Sequence, residues 1–181
     1  TIRLWDIENG QPHHVFRNQA GQSHAVAFSP DGRWIAGGVD DNNIQLWDFE
    51  TKEAGLTLQG HRDWIEVVTF SPDGMFLAST SLDLTIRIWD LSTGKVCYIL
   101  EGHTEPTHSL TFSPNGQTLV SGSEDCTIRL WDVQQGVINQ IITLEAAAWS
   151  VAFSPDGQTL AAGTDDYKVR LWGTQGPLDE G

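Results

Sequence analysis

Histidine, serine and aspartate are the side chains of nucleophilic hydrolysis, and this chain carries them at fixed spacing twice. His61, Ser79 and Asp83 form one set, and His103, Ser121 and Asp125 form the other. In each, 22 residues separate His from Asp and 4 separate Ser from Asp. Such a trio could activate a serine through the imidazole while the carboxylate orients the ring. A catalytic site, however, needs one polarised cleft with an oxyanion hole, not the same set at every repeat. Each set also travels with a tryptophan, Trp89 or Trp131, six residues past the aspartate. A buried indole N–H needs an acceptor, and an unpaired buried polar group costs about 1–3 kcal/mol. The sets therefore read as structural networks, and no residue is assigned a catalytic role.

Other reactive side chains point nowhere sharper. Asp40-Asp41-Asn42-Asn43 and Asp165-Asp166 are acidic, but the spacing and bidentate glutamate of a calcium loop are missing, so solvated turns are expected. His13 and His14 are adjacent on a predicted strand and would point to opposite faces, which is poor geometry for a shared metal. Cys126 has Glu124 and Asp125 beside it, and like-signed neighbours disfavour a thiolate nucleophile. The sequence contains no glycine-rich phosphate loop with lysine and no Cys/His cluster. Neither metal nor cofactor is expected.

These residues sit on a repeat. Tryptophan recurs at Trp5, Trp47, Trp89 and Trp131 at intervals of 42 residues, and again at Trp172 after 41. Aspartate follows the first four, and Gly173 follows the last. A second marker keeps the same beat: Phe28-Ser-Pro-Asp-Gly32, Phe70-Ser-Pro-Asp-Gly74, Phe112-Ser-Pro-Asn-Gly116 and Phe153-Ser-Pro-Asp-Gly157. A fixed period of this length means stacked supersecondary units. Within residues 60–101, strands are predicted over Trp64–Phe70, Met75–Ser79, Thr85–Trp89 and Lys95–Leu100 from their β-branched and aromatic content. Ser71-Pro-Asp-Gly74 has proline and glycine where a type I turn wants them. The fold class is therefore all-β, with each unit a four-stranded antiparallel meander. Strands apolar on both faces suit a sheet sandwiched between like sheets, so a β-propeller is preferred over a β-sandwich or solenoid. One propeller region spans residues 1–181, with units 1–17 (partial), 18–59, 60–101, 102–143 and 144–181 (partial).

Bulk composition narrows the partners. Among 181 residues, 10 Lys+Arg against 24 Asp+Glu give a net charge of −14, which repels nucleic acid and anionic lipid. No apolar run reaches the ~18 residues needed to span a bilayer. Cys97 and Cys126 fit neither a disulfide scaffold nor a zinc motif, and a reducing cytoplasm suits them.

The run Gly-His, Phe-Ser-Pro-Asp-Gly, Ser-x-x-x-Asp and Ile-Arg-Ile-Trp-Asp resembles the WD-repeat β-propeller family over the whole chain. The wording Phe-Ser-Pro-Asp-Gly-Gln-Thr-Leu is similar to that of bacterial, particularly cyanobacterial, multidomain members. The resemblance implies a structural tetrad of His61, Ser79, Asp83 and Trp89, and a second of His103, Ser121, Asp125 and Trp131. Two outer units depart from it. Around Asp41 and Trp47 the serine slot is Gly37 and the histidine slot Gln19; around Asp166 and Trp172 they are Ala162 and the vicinity of Leu144. Such units should be softer than their neighbours.

Members of the family bind peptides or proteins on the face built by fourth-to-first loops and second-to-third turns. The resemblance places Gln22, His24 and Asp40 there, followed by Trp64, Glu66 and Leu82. The next units supply Pro106, His108 and Glu124, then Ala147, Trp149 and Asp165. Trp64 and Trp149, flanked by carboxylates, have the composition of an interaction hot spot, although core packing would explain a tryptophan equally simply. The expected function is a non-catalytic scaffold for a protein or peptide bearing basic residues. A regulatory propeller from a larger signalling enzyme and a sugar-binding propeller are the alternatives. The ring must also close, and three routes are open: the remainder of a longer propeller, a homodimer forming one ring of about eight blades, or closure of this chain alone.

Overall fold

Two tight turns, repeated along the chain, set the architecture. In the first, the Ser71 carbonyl accepts the Gly74 N–H at 2.9 Å, while Asp73 Oδ1 takes the Ser71 hydroxyl at 2.5 Å and the Met75 N–H at 2.9 Å. Gly74 has φ +71°, a left-handed conformation that costs glycine nothing, and Gly32, Gly116 and Gly157 repeat it within one degree. In the second, the aspartate after the tryptophan caps the next turn. Asp132 Oδ1 accepts the N–H groups of Gln134 and Gln135, each at 2.8 Å, and Asp6, Asp48 and Asp90 do the same. The Trp-Asp dipeptide thus joins a core anchor to a hairpin signal.

The computed structural model describes residues 1–16, 25–39, 41–173 and 176–177, and among them it contains strands and turns but no helix. The first sheet pairs β1 (Ile2–Trp5) with β2 (Pro12–Phe16). Four four-stranded antiparallel sheets follow, each in sequential order. The second sheet holds β3 (Val26–Phe28), β4 (Trp34–Val39), β5 (Asn43–Asp48) and β6 (Ala54–Leu58). The third holds β7 (Ile65–Phe70), β8 (Phe76–Ser81), β9 (Ile86–Asp90) and β10 (Lys95–Leu100). The fourth holds β11 (Thr107–Phe112), β12 (Thr118–Ser123), β13 (Thr127–Asp132) and β14 (Val137–Thr143). The fifth holds β15 (Ala148–Phe153), β16 (Thr159–Thr164), β17 (Val169–Gly173) and the two-residue β18 (Gly176–Pro177).

Sheets stack face to face through four apolar clusters, each joining one sheet to the next. Ile44, Leu46 and Leu58 of the second sheet meet Leu77 and Trp89 of the third. Ile86, Ile88 and Leu100 of the third meet Leu119 and Trp131 of the fourth. Ile2, Leu4 and Phe16 cover Ile35 and Trp47 at one side of the series, and Val120 and Ile128 meet Leu160 and Trp172 at the other. Burying each such side chain is worth about 1.5–3 kcal/mol, so these junctions carry the stability of the stack. The result is an incomplete β-propeller that does not close. β8 runs to Ser81, two residues past the sequence-based boundary, because Thr80 and Ser81 pair with Val67 and Ile65 of β7.

Candidate functional site

The two His-Ser-Asp sets are closed networks. Trp89 Nε1 donates to Ser79 Oγ at 2.8 Å, His61 Nε2 lies 2.8 Å from the same oxygen, and His61 Nδ1 lies 2.9 Å from Asp83 Oδ2. In the next sheet, Trp131, Ser121, His103 and Asp125 repeat these contacts at 2.9, 2.8 and 2.7 Å. The serine has one proton and receives the indole's, so it donates to Nε2 of a neutral imidazole whose Nδ1–H faces the carboxylate. Burial holds both imidazoles below their ordinary 6.5, against the opposing pull of Asp83 and Asp125. Burial would raise those carboxyls, but hydrogen bonds from the histidine and from Thr85 or Thr127 hold both below the usual carboxylate range. Both serines are 0% exposed, so neither hydroxyl meets solvent.

Thr85 and Thr127 are members that the sequence reading passed over. Each donates its hydroxyl to the aspartate Oδ1 at 2.6 Å, and the signal was Asp-x-Thr in both copies.

The outer units are not assembled this way. Asp41 is exposed in the β4–β5 turn, while Trp47 packs its ring at 5.8 Å from Phe16. Asp166 does not approach Trp172. With no histidine to hold it, it binds Arg170 and accepts the Thr164 hydroxyl at 2.5 Å. Bonds from Arg170 and then Thr164 hold its carboxyl far below the usual range. The place of the absent histidine is a cleft of about 410 Å³ lined by Leu144, Glu145, Lys168, Arg170 and Trp172, among others.

Around the second-to-third turns, the upper face of the stack carries a different arrangement. β7, β11 and β15 each contain one extra residue in their pairing with the following strand, between Ile65 and Val67, Thr107 and Ser109, and Ala148 and Ser150. The extra residues are Glu66, His108 and Trp149. A β-bulge re-aims its side chain out of the sheet's alternation, and here three equivalent bulges aim at one another. His108 Nδ1 lies 3.6 Å from Glu66 Oε2, and its ring stacks on Trp149 with centroids 4.5 Å apart. The residue before each aspartate closes the row: Glu124 Oε1 lies 2.7 Å from His108 Nε2, and Asp165 Oδ1 accepts the Trp149 indole N–H at 3.2 Å.

Glu66, His108, Glu124, Trp149 and Asp165 thus form one continuous patch across three sheets. Leu82, Pro106 and Ala147 are half-buried beside it and add apolar surface. Trp64 is 50% and Trp149 45% exposed, so neither is a core residue. Gln19, Gln22, His24 and Asp40 lie outside the described residues. Asp63, Glu105 and Glu145 in the fourth-to-first loops extend the acidity of this face.

Among the described residues, no group of three or more His, Cys, Asp or Glu could hold a metal ion. His13 stacks near Phe49, and His14 meets Phe16 edge to face. No described helix is long and apolar enough to cross a membrane. The family model of the IFT122 first β-propeller matches residues 22–178. No curated protein matches the chain.

Proposed function

Because the chain belongs to the IFT122 first β-propeller family, a WD-repeat-type propeller, we propose that it is a non-catalytic scaffold whose upper face binds a basic peptide or protein segment. The observation that carries this reading is the patch in which the bulged residues Glu66, His108 and Trp149 meet Glu124 and Asp165. Carboxylates next to a half-exposed indole suit a lysine or arginine side chain. The carboxylate supplies the charge-assisted bond, and the ring face offers cation–π contact worth about 0.5–1 kcal/mol at an exposed site. The net charge of −14 would steer the same partner and repel nucleic acid. Two free cysteines are consistent with a reducing, cytoplasmic setting.

A sugar-binding reading draws on the same two indoles, yet His108 already covers one face of Trp149. Selection of an unbiased peptide library on the immobilised protein separates the two. The scaffold reading expects enrichment of Lys and Arg, with affinity lowered about tenfold or more by Glu66→Lys or Glu124→Lys. Enrichment of acidic or neutral peptides, or displacement of the selected peptides by oligosaccharide, would overturn it.

A further inference from the structure

We propose that Glu66, Glu124 and the face of Trp149 form a subsite for one arginine side chain, which His108 fills until the partner's guanidinium displaces it. The inference rests on the upper-face reading above, and adds which basic residue is taken and what it must move.

The molecule already holds the shape of the occupant. The planar His108 ring lies over the Trp149 ring, with centroids 4.5 Å apart and 28° between the planes. Its two nitrogens face carboxylates on different sheets. Nδ1 is 3.6 Å from Glu66 Oε2 of the third sheet, and Nε2 is 2.7 Å from Glu124 Oε1 of the fourth. A flat group on an indole, with nitrogens aimed at two carboxylates, is the outline of a guanidinium.

The imidazole matches that outline poorly. A neutral imidazole carries one N–H, so it satisfies only one of the two carboxylates and turns a lone pair toward the other. A guanidinium is planar, permanently charged and carries five N–H donors, so it can lie flat on the indole and donate from two edges at once. An ammonium is a compact point charge with no face to stack. Arginine is therefore taken in preference to lysine.

The rest of the subsite is held ready for the exchange. Asp165 Oδ1 fixes the indole by accepting its N–H at 3.2 Å, and Trp149 keeps 45% of its surface exposed. The His108 side chain is itself 20% exposed. Rotation about its own side-chain bonds opens the subsite and leaves the bulge between Thr107 and Ser109 in place.

Proton NMR of the whole chain at ~0.15 M salt tests this with two acetylated, amidated probes, Gly-Gly-Arg-Gly-Gly and Gly-Gly-Lys-Gly-Gly. The His108 ring protons, assigned through the β11 backbone, lie over the indole and should carry an upfield ring-current shift. The arginine peptide should move them downfield, and should bind about fivefold or more tighter than the lysine peptide. Both readouts use the unaltered protein. His108→Ala should tighten the arginine peptide by about threefold or more, because no side chain then has to leave. Trp149→Ala should erase the preference between the peptides. Equal affinities, His108 signals that stay upfield at saturation, or weaker binding by folded His108→Ala would overturn this inference and leave the upper-face reading standing. Binding of neither peptide would overturn both.

Discussion

Arg170 holds Asp166 through both ends of its guanidinium, Nη1 to Oδ1 at 2.9 Å and Nη2 to Oδ2 at 2.6 Å. In the fourth sheet, where His103 occupies the aspartate, the corresponding Arg129 Nη2 stays 4.0 Å from Asp125. In the third, Arg87 is 9% exposed, and among the described residues its Nε has no hydrogen-bond partner. The arginine grips the aspartate with two short bonds where the histidine is absent and stands farther off where it is present. Arg170→Met should speed amide exchange in β16 and β17. Arg87→Met, which removes an unmet buried donor, should be neutral or stabilising by denaturant titration. The reverse ranking would show that the arginine is not the substitute partner.

Each complete network hangs on one hydroxyl. Ser79→Ala leaves the Trp89 indole N–H and His61 Nε2 unpaired in the core, at an expected loss of about 2–3 kcal/mol. Ala162→Ser, at the equivalent buried place in the fifth sheet, should restore no network and should cost about 1–3 kcal/mol, since its hydroxyl enters the core with no histidine to receive its proton. Urea titrations of the two variants supply both numbers.

Acid should weaken the protein in two stages. The folded His61 and His103 titrate below their ordinary 6.5, so the unfolded chain binds protons first as pH falls. Stability from these groups is fully present above about pH 6.5 and is lost as pH falls through the folded values. The depressed Asp83, Asp125 and Asp166 carboxyls add a second loss below their ordinary 3.8. Urea midpoints measured from pH 7.5 to 3 should fall monotonically; a rise between pH 6.5 and 5 would mean that the folded imidazoles prefer their proton.

Close approach of sheets gives a steric test. Gly38→Ala drives a Cβ to 2.6 Å from Ile65, and an overpacked junction of this kind costs about 1–3 kcal/mol. Gly163→Ala, with no atom of the described residues closer than 3.9 Å, should be neutral or slightly stabilising. Thermal unfolding of the pair decides it, and equal losses would mean that the fifth sheet's face is covered.

Periodicity made the sheets legible, because turn glycines and capping aspartates act locally and recur with the repeat. The His, Ser and Asp that accompany Trp89 and Trp131 recur with the same repeat, while Thr85 and Thr127 hid as ordinary strand residues. What the sequence did not disclose was geometry across sheets. Glu66, His108 and Trp149 occupy one repeat position, but only the shared bulge turns them toward one another. The Arg170–Asp166 pair was hidden too, since a missing histidine does not reveal which side chain inherits its partner.

The upper-face patch is the centre of the account, and an amide-exchange footprint of a selected basic peptide tests it most directly. Added protection is expected around residues 64–66, 107–109 and 147–149 and at the turns carrying Glu124 and Asp165, and Trp149→Ala should abolish it. Protection confined to the opposite turns around Ser71–Gly74 and Ser113–Gly116, or to the outer strands β10 and β14, would contradict the assignment.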